Sequence, residues 1–289
     1  MLDNQAASSI ISKRDAYLNR FSKFDLQSRL GTSEEATMND LLIFLSHQTL
    51  DWEQSEKETL EKIFSELESS YGPYEKNLPK IVPIIKTTGR EECDAAYTRK
   101  NSIYIPLSMV QWPYNELKEL IAHELFHVIS NADLELRNDW YTKLGFTACP
   151  ELQIPNEYHE LYVTNPDTIG KNCYLSFQEK GKPLKAVSFL YSKHSYKGGY
   201  FFRYFCFSFL KAEINNRKCK AIYEGDTLQF IDVPQDLYDL CVEIDPYNNP
   251  HRLHPEEILA EYWSLLPFSE PELDYNKRNF LKRIHNIIE

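Results

Sequence analysis

A chain of 289 residues with 32 Lys and Arg against 43 Asp and Glu, a formal net charge of −11, is long enough for one large domain or two modest ones around a substantial core. That balance argues against a general binder of nucleic acid or anionic membrane, because phosphate-rich surfaces attract Lys and Arg. The aromatic share of 13% suits β structure and a lined cleft as well as an ordinary core, so composition alone does not separate them.

The N-terminal stretch "MLDNQAASSIISKRDAYLNRF" holds no uninterrupted apolar run of signal-peptide type, and no segment reaches the roughly 18 apolar residues of a membrane span. The expectation is a cytoplasmic protein, or one exported by a signal-peptide-independent route, with no membrane span. The six cysteines (Cys93, Cys149, Cys173, Cys206, Cys219 and Cys241) stand singly without a CxxC pair, which points to reduced thiols.

Residues 1–80 read as a polar N-terminal helical subdomain, with "NDLLIFLSHQTL" and "SEKETLEKIFSELESSYG" carrying apolar residues three and four apart. The rest, 81–289, reads as the catalytic part. "IVPIIKT" (81–87) and "NSIYIPLS" (101–108) predict a small sheet, and "DAAYTRKNSIYI" offers either an edge strand for an extended peptide or a plain hairpin. "YNELKELIAHELFHVISNA" (114–132) predicts an amphipathic helix burying Leu117, Leu120, Ile121, Leu125 and Val128. The stretch 133–183 reads as irregular, with Asn165-Pro166-Asp167 as a turn. Runs at 185–192, 199–214, 218–223 and 227–233 predict a β-rich insertion over about 184–233, its aromatic run 200–209 read as a buried strand. Helices are expected at 234–243, 255–266 and 271–288, Pro255 standing where its missing N–H costs nothing.

The chemistry is concentrated in "HELFH" (123–127). Histidines four apart on a helix differ in direction by about 40°, so His123 and His127 can reach one ion, and zinc accepts that geometry. Glu124 points about 100° round the helix, where it can act as general base on a water at the metal. A zincin with a third histidine six residues on would need a glycine at 130 and a histidine at 133, but Ser130 and Asp133 stand there and exclude that class. "HPEEILAEYW" (254–263) offers the other arrangement: Glu257 can bind the metal while Glu261, four residues on, orients a ligand histidine from behind.

Together "HELFHVIS" and "HPEEILAEYW" resemble the gluzincin clan of metallopeptidases and a group of uncharacterised bacterial proteins with "HELFHV…TNPD…HPEEILAE"-like segments. The similarity covers roughly 95–170 and 245–265. The resemblance implies an α+β, zincin-like fold, one catalytic Zn2+ held by His123, His127 and Glu257, Glu261 as supporting acid, and Glu256 pointing elsewhere. Glu256 and Glu261 stay open as alternative ligands. It also implies an oxyanion donor, for which Tyr247 and His251 are the candidates, although relatives of this type carry Tyr near 251. His254 reads as a helix N-cap.

The function expected is hydrolysis of peptide bonds in a peptide or protein substrate. Two alternatives stand beside it: a non-catalytic zinc-binding interaction module, and an effector or toxin protease acting on one host protein.

Overall fold

Side-chain caps set where the N-terminal helices begin. Asp3 accepts the Ala6 N–H at the start of α1 (Asn4–Ile11), and reciprocal Ser22/Asp25 and Thr37/Asp40 capping boxes open α2 (Lys23–Leu30) and α3 (Met38–Ser46). In α4 (Gln54–Ser70) the buried residues Leu60, Ile63 and Leu67 share one face, as their spacing predicts. The computed structural model describes residues 1–71, 80–179, 181–231, 235, 239 and 253–288.

The first sheet comprises β1 (Thr49–Leu50), β2 (Ile84–Thr87), β3 (Tyr97–Arg99) and β4 (Ser102–Pro106), in the order β1-β2-β4-β3. β2 and β4 pair in parallel, the outer pairs are antiparallel, and β3 forms an edge. Strand alternation gives each face its own core. Ile85, Tyr97 and Tyr104 pack under Ala7, Ile11, Leu41 and Leu45 of the N-terminal helices, whereas Ile84, Ile103 and Ile105 face Leu60, Ile63 and the next long helix.

That helix follows a single turn, α5 (Leu107–Val110), and is α6 (Tyr114–Ala132); Leu117, Ile121, Leu125 and Val128 are buried along it. It ends at Asp133, which caps α7 (Leu134–Lys143) by accepting the Leu136 N–H. α6 packs against α8 (Pro255–Leu265), every residue of which is buried, including three glutamates. Trp263 lies 6.0 Å from the Phe126 ring, 5.9 Å from Trp140 and 4.4 Å from Tyr71, joining α8 to α6 and α7. α9 (Tyr275–Ile288) closes over this core with Phe280, Ile284 and Ile288, starting four residues later than expected.

The second sheet contains β5 (Phe146–Ala148), β6 (Leu152–Gln153), β7 (Cys173–Glu179), β8 (Lys182–Ser192), β9 (Phe205–Asn215) and β10 (Lys218–Ala221), in the order β5-β7-β8-β9-β10-β6. Only β10–β6 is parallel among these pairs. The stretch 133–183 is therefore irregular only in part, over 154–172 apart from two 3-10 turns. Its helix was hidden because α7 buries only Trp140 and Tyr141, and β5 and β6 are too short to show alternation. The aromatic run divides: Phe201–Tyr204 is a 3-10 turn and β9 starts at Phe205. The helix expected at 234–243 falls almost wholly outside the described residues. The architecture is mixed α+β with a curled sheet, and no described helix is long and apolar enough to cross a membrane.

Candidate metal centre

The helical spacing brings the two imidazoles of α6 to ring centroids 5.0 Å apart. The first turn of α8 sets Glu257 against them, with its Oε2 3.5 Å from His123 Nε2 and 3.8 Å from His127 Nε2. Ligand atoms at about 2.0–2.1 Å from a tetrahedral zinc stand about 3.4 Å apart, so these three atoms have the spacing of one ion's donors. His127 Nε2 is fully buried and makes no hydrogen bond among the described residues. A buried nitrogen without a partner is costly, and a cation at that point would satisfy it. The donor set therefore fits a metal of zinc type. His123, His127 and Glu257 form one of two groups of possible ligands among the described residues; Glu124, His127 and Asp167 form the other.

Each imidazole is backed by a different acid. Glu261 Oε2 lies 3.6 Å from His123 Nδ1, on the side expected of it. Glu256, expected to point elsewhere, accepts from His127 Nδ1 at 2.8 Å and from the hydroxyls of Ser130 and Tyr141 at 2.7 and 2.5 Å. It does lie off the ligand position, and its unforeseen contact with His127 has a simple cause. Two ligand histidines need two acceptors, and Glu256 lies one residue, about 100°, round α8 from Glu257, on the side facing His127. Burial alone would raise the Glu256 carboxyl, but Lys171 and His127 beside it hold it down to about 2. An ionised Glu256 can only accept, so Nδ1 carries a proton, and in the neutral ring Nε2 then presents its lone pair to the ligand position.

Glu124 is 3% exposed, and the Thr98 hydroxyl lies 2.8 Å from its Oε2. Thr98 also donates its backbone N–H to Asp167 at 2.7 Å, so the outer edge of β3 faces the site. Asn165, in the expected Asn165-Pro166-Asp167 turn, accepts the Asp167 N–H and places its amide 3.4 Å from Glu257. Burial pushes the Asp167 carboxyl up to about 8; His127 opposes this while Glu124 and Glu257 add to it. At His123, burial favours the neutral ring but is outweighed by hydrogen bonding to Glu257 and Glu261, which raises its pKa well above the usual range.

His254 caps α8 by accepting the Glu256 N–H at Nδ1, and burial pulls its pKa down to about 4, which keeps that nitrogen free to accept. Tyr247 and His251 lie outside the described residues. The site opens into a cleft of about 820 Å³. Tyr97 of the edge strand with Ala95 and Ala96 just before it, Trp112 before α6, Phe202 of the 3-10 turn and Tyr200 at its start border it. Part of the aromatic run is thus cleft wall rather than buried strand. Sequence reading missed Glu256, Lys171, Thr98 and Tyr141; only Glu256 had a detectable signal, the need for a second acceptor. No family model, curated protein or solved structure matches the chain.

Proposed function

We propose that this protein is a zinc-dependent peptidase of gluzincin type, with a zincin-like arrangement of edge strand, HExxH helix and glutamate-bearing helix. The observation that carries the reading is the convergence of His123 Nε2, His127 Nε2 and Glu257 Oε2 at ligand spacing, with His127 Nε2 buried and without a hydrogen-bond partner among the described residues. Zinc held by those three residues would supply a Lewis acid that acidifies water and polarises a carbonyl.

Glu124 takes the proton of the attacking water and returns it to the leaving amine, and the Thr98 hydroxyl holds its carboxylate for both transfers. The outward amide of Thr98 is already held by Asp167, so an extended peptide would pair with the backbone of Ala96, just before β3. The small side chains of Ala95 and Ala96 leave that backbone accessible. A non-catalytic zinc module would have no use for a carboxylate held in the cleft beside the ligands.

Metal analysis coupled to a proteome-wide cleavage screen tests the reading. The purified chain should hold about one zinc. Glu124→Gln should keep the metal and lose about 10²–10⁴-fold in hydrolysis. Unimpaired cleavage by metal-free protein, or by Glu124→Gln, overturns it. Cleavage confined to one protein would identify a substrate-specific effector.

A further inference from the structure

Behind His127 four donors converge on one carboxylate. Lys171 Nζ lies 2.5 Å from Glu256 Oε1, the oxygen that also faces His127 Nδ1, while Ser130 and Tyr141 donate to Oε2. Lys171 is 2% exposed and Glu256 is fully buried. Lysine is almost never buried to this extent without a partner, and an ammonium is costly to desolvate, so its place here calls for a reason. The chain brings it from a distance: Lys171 follows the Asn165–Thr168 turn and is 85 residues from Glu256.

We propose that Lys171 is a positioning residue of the metal centre. By fixing Glu256 Oε1 it holds the His127 ring in one orientation and one tautomer, with Nε2 directed at Glu257 and His123. Rotation about the terminal bond of a glutamate is soft, so two hydroxyls on Oε2 do not by themselves hold Oε1 in the plane of the imidazole. Lys171 supplies the second anchor. Without the ammonium the buried carboxylate loses its cation, water enters the vacated space, and that water competes with Nδ1–H for the same oxygen. The inference rests on the peptidase reading only for what Nε2 binds, since the clamp itself exists in the metal-free chain.

Two readouts test it on the full chain with labelled histidine. In metal-free wild type the His127 Nδ1–H proton should resonate downfield and be protected from exchange. Lys171→Met should lose that protection and bind zinc about 10–100-fold more weakly in competition with a chromophoric chelator. Lys171→Arg, which keeps a cation, should recover most of both. A lysine with a merely structural role would lower the unfolding midpoint and leave both readouts of the folded protein at wild-type values, which overturns the proposal. If Lys171→Met does not fold, Lys171→Arg and wild type still decide it, because a freely exchanging Nδ1–H in wild type refutes the clamp. A wild type that binds no zinc refutes the peptidase reading instead, while the proton signature continues to judge Lys171.

Discussion

Glu91 ties the stability of the cleft rim to pH. It precedes Glu92, Cys93 and Asp94, which line the cleft, and is itself 1% exposed. Burial pushes its carboxyl from 4.5 up to about 7, with Glu92 and Asp94 adding to the effect and the Thr87 hydroxyl opposing it. A folded-state pKa above the unfolded one means that the folded chain binds the proton more tightly. The stabilisation is therefore complete below about pH 4.5 and lost as pH rises through about 7. At 1.36 kcal/mol per tenfold in proton affinity, that gap corresponds to about 3 kcal/mol. With an unfolding entropy of about 2.1 cal/mol/K per residue over 289 residues, it amounts to about 5 °C in Tm. Glu91→Gln keeps the shape and removes the titration. Urea melts of both chains at pH 5 and pH 8 measure the difference, with the pH responses shared by the two chains cancelling. The variant should gain about 2.5 kcal/mol on wild type between those pH values, because at pH 5 part of the unfolded-state carboxyl is already ionised. A constant difference refutes the assignment.

The other predictions concern the base and the turn beside the edge strand. Thr98→Val removes the hydroxyl that holds Glu124; a hydrogen bond to a charged group contributes about 1.5–3 kcal/mol, so kcat should fall about 10–100-fold with KM little changed in steady-state assays. Gly89 has φ +82°, and an added Cβ would lie 2.2 Å from Asp94 Oδ1 and 3.1 Å from Pro106 Cβ. Gly89→Ala should therefore destabilise the chain by more than about 1 kcal/mol in urea unfolding.

What the sequence revealed, and what it hid, follows from the range of each signal. HExxH lies within one helical turn, so the juxtaposition of His123 and His127 and the divergence of Glu124 followed from periodicity alone. Glu257 and Glu261 were legible for the same reason, being four apart on α8. The wide separation of α6 and α8 in the chain was bridged by resemblance rather than by pattern. Lys171 and Thr98 reach the site from segments without helical period, and their residue types carry no hint of metal chemistry. No local pattern could have selected them. Tyr141 was concealed by the same weak amphipathicity that hid α7.

The role of Glu256 is the most instructive, because finding it needed only an accounting of polar groups. A helix buried on every side cannot leave its carboxylates to water, so each of the three in α8 must meet a donor or a cation. Glu261 meets His123 Nδ1, and Glu256 meets His127, Ser130, Tyr141 and Lys171. Glu257 faces two imidazole nitrogens at metal-ligand spacing. The distribution of partners separates the roles: Glu256 is already satisfied by four protein donors and has no remaining need of an ion. Glu257 lies 3.8 Å from His127 Nε2, which has no hydrogen-bond partner among the described residues. The same helix thus divides its acids between holding the Nδ1 side of the two histidines and facing the point where a metal could be held, and Lys171 neutralises the first of these.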